Sequence, residues 1–212
     1  MVGSVRLSRA FFDRNAREVA PELIGAFLVR RRGREVLVAE IVETEAYVGA
    51  HDLACHARMG MTQRNAVMFG PAGFSYVYLI YGMHHCVNVV CGPGGDPNAV
   101  LFRAGKPVSE ETLARLVERD GVSGRGVDPK RVSALLHSPI GPGNLAKALD
   151  LTRADTGLDL CSADGDVYFL PRLVKPKIAL GPRIGVDYAG KWAKSKLRFA
   201  LKGDPFVSRP RI

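Results

Sequence analysis

The run Val-Leu-Val-Ala-Glu-Ile-Val-Glu-Thr-Glu-Ala-Tyr, residues 36–47, constrains the fold of this chain more than any other segment. Successive side chains of a β-strand point to opposite faces of a sheet. In this run both faces are apolar at first, and carboxylates appear towards the end, at Glu43 and Glu45. The pattern therefore predicts a strand that is apolar on both faces and ends in a carboxylate-bearing stretch.

A helix is predicted before this strand. Asn15 followed by Glu18 matches a capping box, and apolar residues then recur near helical spacing. We expect a helix of about three turns that ends near Gly25.

A long loop and a β-hairpin are predicted after the strand. Residues 49–73 are polar and lack periodicity, and their His, Arg and Asn content favours a functional loop. The patterns of residues 76–81 and 86–90, on either side of Gly82, are typical of a hairpin. Tyr76 and Tyr78 share one face, whereas Tyr81 lies near the tip with the opposite parity.

The rest of the chain indicates one domain of mixed helices and strands. Further predicted elements are a strand at 99–103, a helix at 110–119 capped by Ser109, a short helical pattern at 132–136, a helix at 144–149 opened by Gly141-Pro142-Gly143, and a strand at 166–170. The sequence shows neither internal repeats nor a low-complexity linker, so we expect a single domain over residues 1–212.

The composition favours a soluble protein with a polyanionic partner. The 212 residues are 47% hydrophobic and 24% charged, and 30 Lys and Arg against 21 Asp and Glu give a net charge of +9. Such a charge favours a polyanion but does not distinguish DNA from RNA. The sequence has no apolar run of membrane-spanning length, no apolar signal core and no CxxC pair, so we expect a cytoplasmic protein with reduced thiols and no membrane contact.

A series of motifs resembles the alkyladenine (3-methyladenine, methylpurine) DNA glycosylase family. The series comprises Val42-Glu43-Thr44-Glu45-Ala46-Tyr47, His56, Arg64-Asn65, residues 76–82, Asn88 and Arg103. The resemblance covers about residues 23–106 and resumes at 141–143 and 181–199. It implies an α+β fold, a single mixed domain with a curved, mainly antiparallel β-sheet core, flanking helices and a protruding β-hairpin.

The activity implied by the resemblance is that of a monofunctional DNA glycosylase in base excision repair. Such an enzyme flips alkylated or deaminated purines out of double-stranded DNA and hydrolyses the N-glycosidic bond, as a monomer without a cofactor or metal. Glu45 is then the general base that takes a proton from the attacking water, and Arg103 helps to hold that water and to keep the carboxylate charged. Glu43 has the same strand parity, and only the motif selects Glu45.

The resemblance also implies a base pocket. A flipped purine needs flat surfaces, because unstacking costs a few kcal/mol that stacking at about 1–3 kcal/mol per base can return. Tyr47 and Tyr78 take this role, His56 stacks on the base and hydrogen-bonds to it, and Asn88 disfavours the exocyclic amine of guanine by steric conflict.

The DNA-binding surface is predicted from the hairpin tip and from basic residues. Tyr81 is the wedge that fills the gap left by the flipped nucleotide, with Met83 and His84 beside it. The candidate phosphate contacts are Arg58, Arg64, Arg183 and Lys191, with backbone N–H groups of the turn Gly181-Pro182-Arg183 as a further candidate.

The sequence departs from the mammalian pattern in the region that meets DNA. Gln63 stands where a proline often precedes the Arg-Asn pair, and His84-His85 replaces an aromatic pair. These changes concern DNA contact and the range of lesions, and they leave the proposed catalytic set intact. The absence of a long polar N-terminal extension indicates a compact bacterial-type enzyme.

Three alternatives remain open at this stage. A zinc enzyme would draw its ligands from Cys55-His56, His84-His85-Cys86 and Cys91, although the zinc-deaminase pattern is missing. A non-catalytic nucleic-acid-binding module would use the same charge and aromatic residues, but would not need Glu45 and Arg103 in one pocket. A bifunctional glycosylase would attack through an amine such as Lys106.

Overall fold

The computed structural model describes residues 5–33, 35–120 and 141–212. Within this part of the chain, eight strands form one antiparallel sheet. The strands are β1 (Phe27–Arg32), β2 (Glu35–Val48), β3 (Ser75–Ile80), β4 (His84–Cys91), β5 (Asn98–Pro107), β6 (Val167–Leu170), β7 (Ile178–Gly181) and β8 (Arg198–Leu201). Their order is β3-β4-β5-β2-β1-β6, and β8 pairs with both β2 and β7. The predicted strands and the α+β fold class are confirmed.

Strand β2 lies in the middle of the sheet. On one edge it pairs with β5, and on the other it pairs first with β1 and then, from Glu43 to Glu45, with β8. The β2–β5 ladder is irregular between Ile41 and Thr44, and such bulges bend a strand and increase its twist. Glu43 and Glu45 lie in this bent part of β2, between β5 and β8, and neither has any exposed surface.

The helices explain why β2 is apolar on both faces. They are α1 (Arg9–Phe12), α2 (Ala16–Glu22), α3 (Glu110–Asp120) and α4 (Pro142–Ala148). Ile41 belongs to a buried cluster that contains Leu23 and Leu145, whereas Val38 belongs to a second cluster that contains Leu116 of α3. Both faces of the strand are covered over most of its length, so most of its residues are apolar, and Glu40, which is partly exposed, pairs with Lys106.

The helix before β1 is shorter than predicted. The Asn15 side chain accepts a hydrogen bond from the N–H of Arg17, which confirms Asn15 as the N-cap but not the reciprocal bond of a capping box, and α2 ends at Glu22. Gly25 has a positive φ of 83° and donates its N–H to the carbonyl of Ile41 at 2.8 Å. That bond to β2 ends the helix, because the N–H is directed at the sheet instead of at a helical carbonyl.

The predicted hairpin and the loop before it are both present. Strands β3 and β4 meet at a tip where Tyr81 and Gly82 have φ values of 52° and 69°, and the N–H of Met83 donates to the carbonyl of Ile80 at 3.2 Å. A tyrosine in the left-handed region is uncommon and strained. The loop between β2 and β3 contains two short 3-10 turns, at His56–Met59 and Ala66–Phe69.

The remaining predicted helices agree with the structure where it describes them. The Ser109 hydroxyl accepts the N–H of Thr112 at the start of α3, and Gly141 precedes α4. The helical pattern predicted at 132–136 lies outside the described residues. No helix in the described ranges is long and apolar enough to cross a membrane.

Candidate active site

A cavity of 490 Å³ opens beside the end of β2 and the hairpin. Its volume falls in the range of about 300–1,000 Å³ that is usual for small-ligand pockets. Eight predicted site residues line it: Tyr47, His56, Arg64, Tyr78, Tyr81, His84, Asn88 and Arg103. Ile184, in the loop after β7, lines it as well. The fold thus brings together residues that are spread over more than 130 positions of the chain.

Aromatic rings form one wall of this cavity. The rings of His56 and Tyr78 meet edge to face with centroids 4.5 Å apart, and the rings of Tyr76 and Tyr78 lie 5.5 Å apart. Asn88 is buried and donates its amide N–H to the carbonyl of Tyr76 at 2.9 Å, which holds its side chain against the cavity. The wall therefore combines flat apolar surface with a polar group whose position is fixed by a hydrogen bond.

Glu45 lies behind the cavity wall and has no exposed surface. Its Oε1 accepts the backbone N–H of Ile184 at 2.8 Å, and its Oε2 accepts the hydroxyl of Tyr47 at 2.9 Å. Nη1 of Arg103 is 3.6 Å from Oε1. All three partners line the cavity, so the carboxylate is one residue layer from it.

Glu43 has a different environment, which separates the two glutamates. Its Oε1 is 2.5 Å from Nε of Arg198, and its Oε2 accepts both the N–H and the hydroxyl of Ser208 at 2.9 and 2.6 Å. Arg103 also approaches it, with Nε 3.7 Å from Oε1. Glu43 is not part of the cavity wall. Its carboxylate is engaged in joining β2 to β8 and to the C-terminal segment.

Burial sets the protonation of the site. Burial raises the pKa of Glu45, and the charge of Arg103 and the hydrogen bonds from Ile184 and Tyr47 oppose this rise without cancelling it. Burial also raises the pKa of the Tyr47 phenol, so that it keeps its proton and donates to Glu45. The charge of Arg103 lowers the pKa of Glu45, as predicted, but the loss of solvation on burial raises this pKa by more.

His56 is a neutral side chain near physiological pH. Partial burial, together with the charges of Arg64 and Arg58, lowers the pKa of His56 to about 4. Its Nδ1 lies 2.9 Å from the hydroxyl of Tyr76. One ring nitrogen is therefore engaged with the protein, and a neutral imidazole has one donor and one acceptor nitrogen.

Comparisons with known proteins agree with this arrangement. The sequence profile of the family described as methylpurine-DNA glycosylase matches residues 10–205. A protein of Anaeromyxobacter sp. strain Fw109-5 is 47% identical over 97% of this chain and 93% of its own length. Proteins of Methanocella arvoryzae and Legionella pneumophila strain Corby are 46% and 40% identical, each over 96% of this chain and over 96% and 98% of their own lengths. All three carry the name "Putative 3-methyladenine DNA glycosylase".

The chain belongs to the methylpurine-DNA glycosylase family. It is a DNA glycosylase, a hydrolase of DNA repair, and its substrate is DNA. The family assignment made from the motifs is confirmed.

The hairpin of this glycosylase presents exposed apolar side chains at the cavity mouth. Tyr81 is 84% exposed and Met83 is 70% exposed. Tyr81 and His84 both border the cavity, and His84 lies against Gly143, where an added Cβ would be 3.0 Å from the His84 Cβ. The glycine at the start of α4 therefore leaves room for the histidine that departs from the mammalian pattern.

One predicted phosphate contact of the glycosylase is wrong. The side chain of Arg183 has no exposed surface and forms a two-point ion pair with Asp52, which is also buried. Its guanidinium cannot reach a phosphate, because both of its terminal nitrogens are committed inside the protein. The side chains of Arg58, Arg64 and Lys191 are exposed, so for them the prediction stands untested.

The two alternative chemistries are not favoured by the described residues. Across residues 5–33, 35–120 and 141–212, no three His, Cys, Asp or Glu side chains are grouped as metal ligands, and Cys91 lies in the hydrophobic core. Burial tends to lower the pKa of Lys106, but the ion pairs with Asp204 and Glu40 raise it overall. A lysine nucleophile needs the opposite shift, and Lys106 does not line the cavity.

Sequence reasoning missed three residues that organise the site: Asp52, Ile184 and Ser208. Asp52 accepts the N–H of Ala54, which is a local turn that an Asp in a loop signals. Its pairing with Arg183, 131 positions away, has no local signal. Ile184 contributes a backbone N–H, and Ser208 meets Glu43 across 165 positions, so neither residue type points to the site.

Proposed function

We propose that this enzyme is a monofunctional glycosylase that flips alkylated or deaminated purines out of duplex DNA and hydrolyses the N-glycosidic bond in base excision repair. The observation that carries the proposal is the position of Glu45. A buried carboxylate with a raised pKa lies 3.6 Å from Arg103, directly behind an aromatic cavity. A general base tuned towards neutral pH has this environment.

In the proposed reaction, a water donates a hydrogen bond to Glu45 and accepts one from Arg103. Its oxygen forms a bond to the anomeric carbon of the flipped nucleotide while the carbon–nitrogen bond to the base breaks. The electron pair of that bond leaves with the base, and the proton of the water passes to Glu45. A base that is cationic in DNA leaves as a neutral molecule, whereas a neutral base also requires a proton from solvent.

The water would reach Glu45 between the side chains that cover it. The carboxylate oxygens each accept one hydrogen bond from the protein, and an ionised carboxylate has about four acceptor positions. One position on each oxygen is thus left for a water. The Arg103–Glu45 distance exceeds that of a direct hydrogen bond, which supports a water-mediated contact.

Base recognition is proposed to use the aromatic wall. Tyr47 and Tyr78 would stack on the purine, and neutral His56 would hydrogen-bond to its edge. Asn88 would disfavour guanine, because its amide is held in place by the carbonyl of Tyr76. A rigid group rejects a misfitting substituent more strongly than a mobile one.

The hairpin tip is proposed to enter the duplex. Tyr81, with Met83 and His84 beside it, would fill the space that the flipped nucleotide leaves. Its exposure of 84%, its strained backbone and its place on the rim of the cavity support this role. Arg58, Arg64 and Lys191 remain the candidate phosphate contacts around the mouth, and the enzyme is proposed to act as a monomer.

The direct test is the release of free base from duplexes that carry hypoxanthine, ethenoadenine, 3-methyladenine or 7-methylguanine. We expect the parent enzyme to release at least one of them and Glu45→Gln to release none while it still binds the duplex. Undiminished release by Glu45→Gln contradicts the role of Glu45, and trapping of a DNA adduct by borohydride contradicts direct attack by water.

A further inference from the structure

We infer that the buried ion pair of Asp52 and Arg183 is a positioning pair for the active site, which holds Glu45 and Tyr47 in place through the backbone and the ring that it contacts. This inference rests on the proposed function of Glu45 as the general base. It gives a role to Arg183, for which the sequence alone predicts a phosphate contact.

The ion pair of Asp52 and Arg183 is buried and has a fixed geometry. Both side chains have no exposed surface, and the guanidinium meets the carboxylate at two points, Nη1 to Oδ2 at 2.5 Å and Nη2 to Oδ1 at 2.8 Å. Asp52 also accepts the N–H groups of Val48 at 3.2 Å and Ala54 at 3.0 Å. Two-point pairs fix orientation as well as distance, so Arg183 has a single arrangement relative to the end of β2.

Two contacts connect this pair to the catalytic machinery. Nη1 of Arg183 donates to the carbonyl of Ala46 at 2.8 Å, and Ala46 lies between Glu45 and Tyr47 in the chain. The guanidinium carbon also lies 4.8 Å from the centroid of the Tyr47 ring. The same arginine therefore fixes the backbone of β2 beside the general base and the aromatic ring that lines the cavity.

The residue after Arg183 completes the connection. Ile184 donates its N–H to Oε1 of Glu45 at 2.8 Å. Because Arg183 anchors this backbone to Asp52, the position of the N–H depends on the ion pair. Release of Arg183 would move the end of β2 and the hydrogen bond to Glu45 together.

Stability alone does not account for the pair. Burying two charges costs several kcal/mol for each ion, and apolar side chains of similar volume often stabilise a fold equally well. Nε of Arg183 is also buried, and no atom of the described residues forms a hydrogen bond with it. A positioning role makes a prediction that a structural role does not, because a hydrogen bond to a carboxylate lowers its pKa. Loss of the Ile184 bond should raise the pKa of Glu45.

The test uses two variants close in size to the parent, Arg183→Lys and Asp52→Asn. We expect kcat for base release to fall by about tenfold to hundredfold, as for other misplaced catalytic groups. The acid limb of the pH–rate profile should move to higher pH, with little change in KM. Arg183→Lys keeps the charge and provides the milder variant if Asp52→Asn, which leaves an unpaired buried cation, does not fold.

Arg30→Lys is the matched control. Arg30 pairs with Asp155 at 3.1 Å, both side chains are largely buried, and neither lines the cavity. This variant should lower the unfolding free energy without moving the acid limb. A folded Arg183→Lys enzyme with the parent kcat and the parent acid limb overturns the inference, and so does an equal shift in Arg30→Lys.

A second readout separates this inference from the proposed function. The titration of Glu45 can be followed by carbon NMR of glutamate-labelled protein, with Glu45→Gln to assign the signal. If the parent releases no base but the pKa of Glu45 rises in the variants, the proposed reaction fails and the positioning role stands. If the parent releases base and the pKa of Glu45 does not rise, the positioning role fails.

Discussion

Nη1 of Arg103 lies 3.6 Å from Oε1 of Glu45, an ion pair without a direct hydrogen bond. The guanidinium therefore acts on the carboxylate mainly through its charge, and it can still donate to a water between them. Arg103 is itself held from the other side, where its Nε donates to the hydroxyl of Ser208 at 3.1 Å.

The pH dependence of the rate of base release should reflect the interaction between Glu45 and Arg103. Burial raises the pKa of Glu45 above its ordinary value of 4.5, and the rate of base release should rise with pH as Glu45 ionises. Arg103 opposes the rise, so Arg103→Gln should move the acid limb to higher pH and lower the maximal rate. Single-turnover release of 7-methylguanine between pH 5 and 9 tests this, because a cationic base leaves without needing a proton.

Arg103→Lys is the control for this prediction. It retains the positive charge and should move the acid limb less than Arg103→Gln does. An acid limb that stays in place, or moves to lower pH, in Arg103→Gln would show that the charge of Arg103 does not act on the base.

The difference in unfolding free energy between Glu45→Gln and the parent should increase as the pH rises. The folded state retains the Glu45 proton above the pH where the unfolded chain loses it, so the parent loses stability as pH rises from about 4.5 through the raised pKa. Glutamine does not titrate. The unfolding free energy of Glu45→Gln relative to the parent should therefore increase with pH, by about 1.4 kcal/mol for each pH unit between the two pKa values.

Glu43→Gln is the contrasting variant for these denaturant titrations. It leaves Arg198, which is buried, without its carboxylate partner, and breaking a buried pair in this way costs about 3–5 kcal/mol. We expect Glu43→Gln to be destabilised and Glu45→Gln not to be destabilised at pH 8. If both variants lose similar stability, the assignment of Glu43 to structure and Glu45 to catalysis is wrong.

Tyr81→Asn should stabilise the fold and weaken DNA binding. Asparagine tolerates the left-handed backbone better than tyrosine does, so unfolding should require about 1 kcal/mol more. The loss of the ring should lower the affinity for lesion-containing duplex and the extent of flipping, as read by 2-aminopurine fluorescence beside the lesion. Val174→Asn, which removes an apolar side chain that is 71% exposed away from the cavity, should leave both unchanged.

Tyr76 should determine the tautomer of His56. Burial raises the pKa of Tyr76 to about 12, so the phenol keeps its proton, and we expect it to donate that proton to Nδ1 of His56, 2.9 Å away. His56 then carries its proton on Nε2. Nitrogen NMR of the ring should show this tautomer in the parent and a mixed population in Tyr76→Phe. A proton on Nδ1 in the parent would contradict the assignment.

Much of the fold follows from local patterns. The alternation of residues 36–47 predicts β2, and the aromatic and apolar residues around Gly82 predict the hairpin, because side-chain parity and turn residues act over a few positions. Residues 132–136 lie outside the described part of the chain, so the short helix predicted there stays a prediction. The early end of α2 could not be predicted from the residues of the helix, because it depends on the hydrogen bond from the N–H of Gly25 to the carbonyl of Ile41 in β2.

The sequence by itself determined the strand with two apolar faces, the exposed hairpin tip and, through its motifs, the family and the preference for Glu45. Only the tertiary structure decided that Glu43 binds Arg198 and Ser208, and that Arg183 is buried against Asp52 instead of facing DNA. The physical reason is that the state of a charged side chain depends on its burial and its partners. Those partners lie 131 to 165 positions away, where no periodicity of the chain reaches.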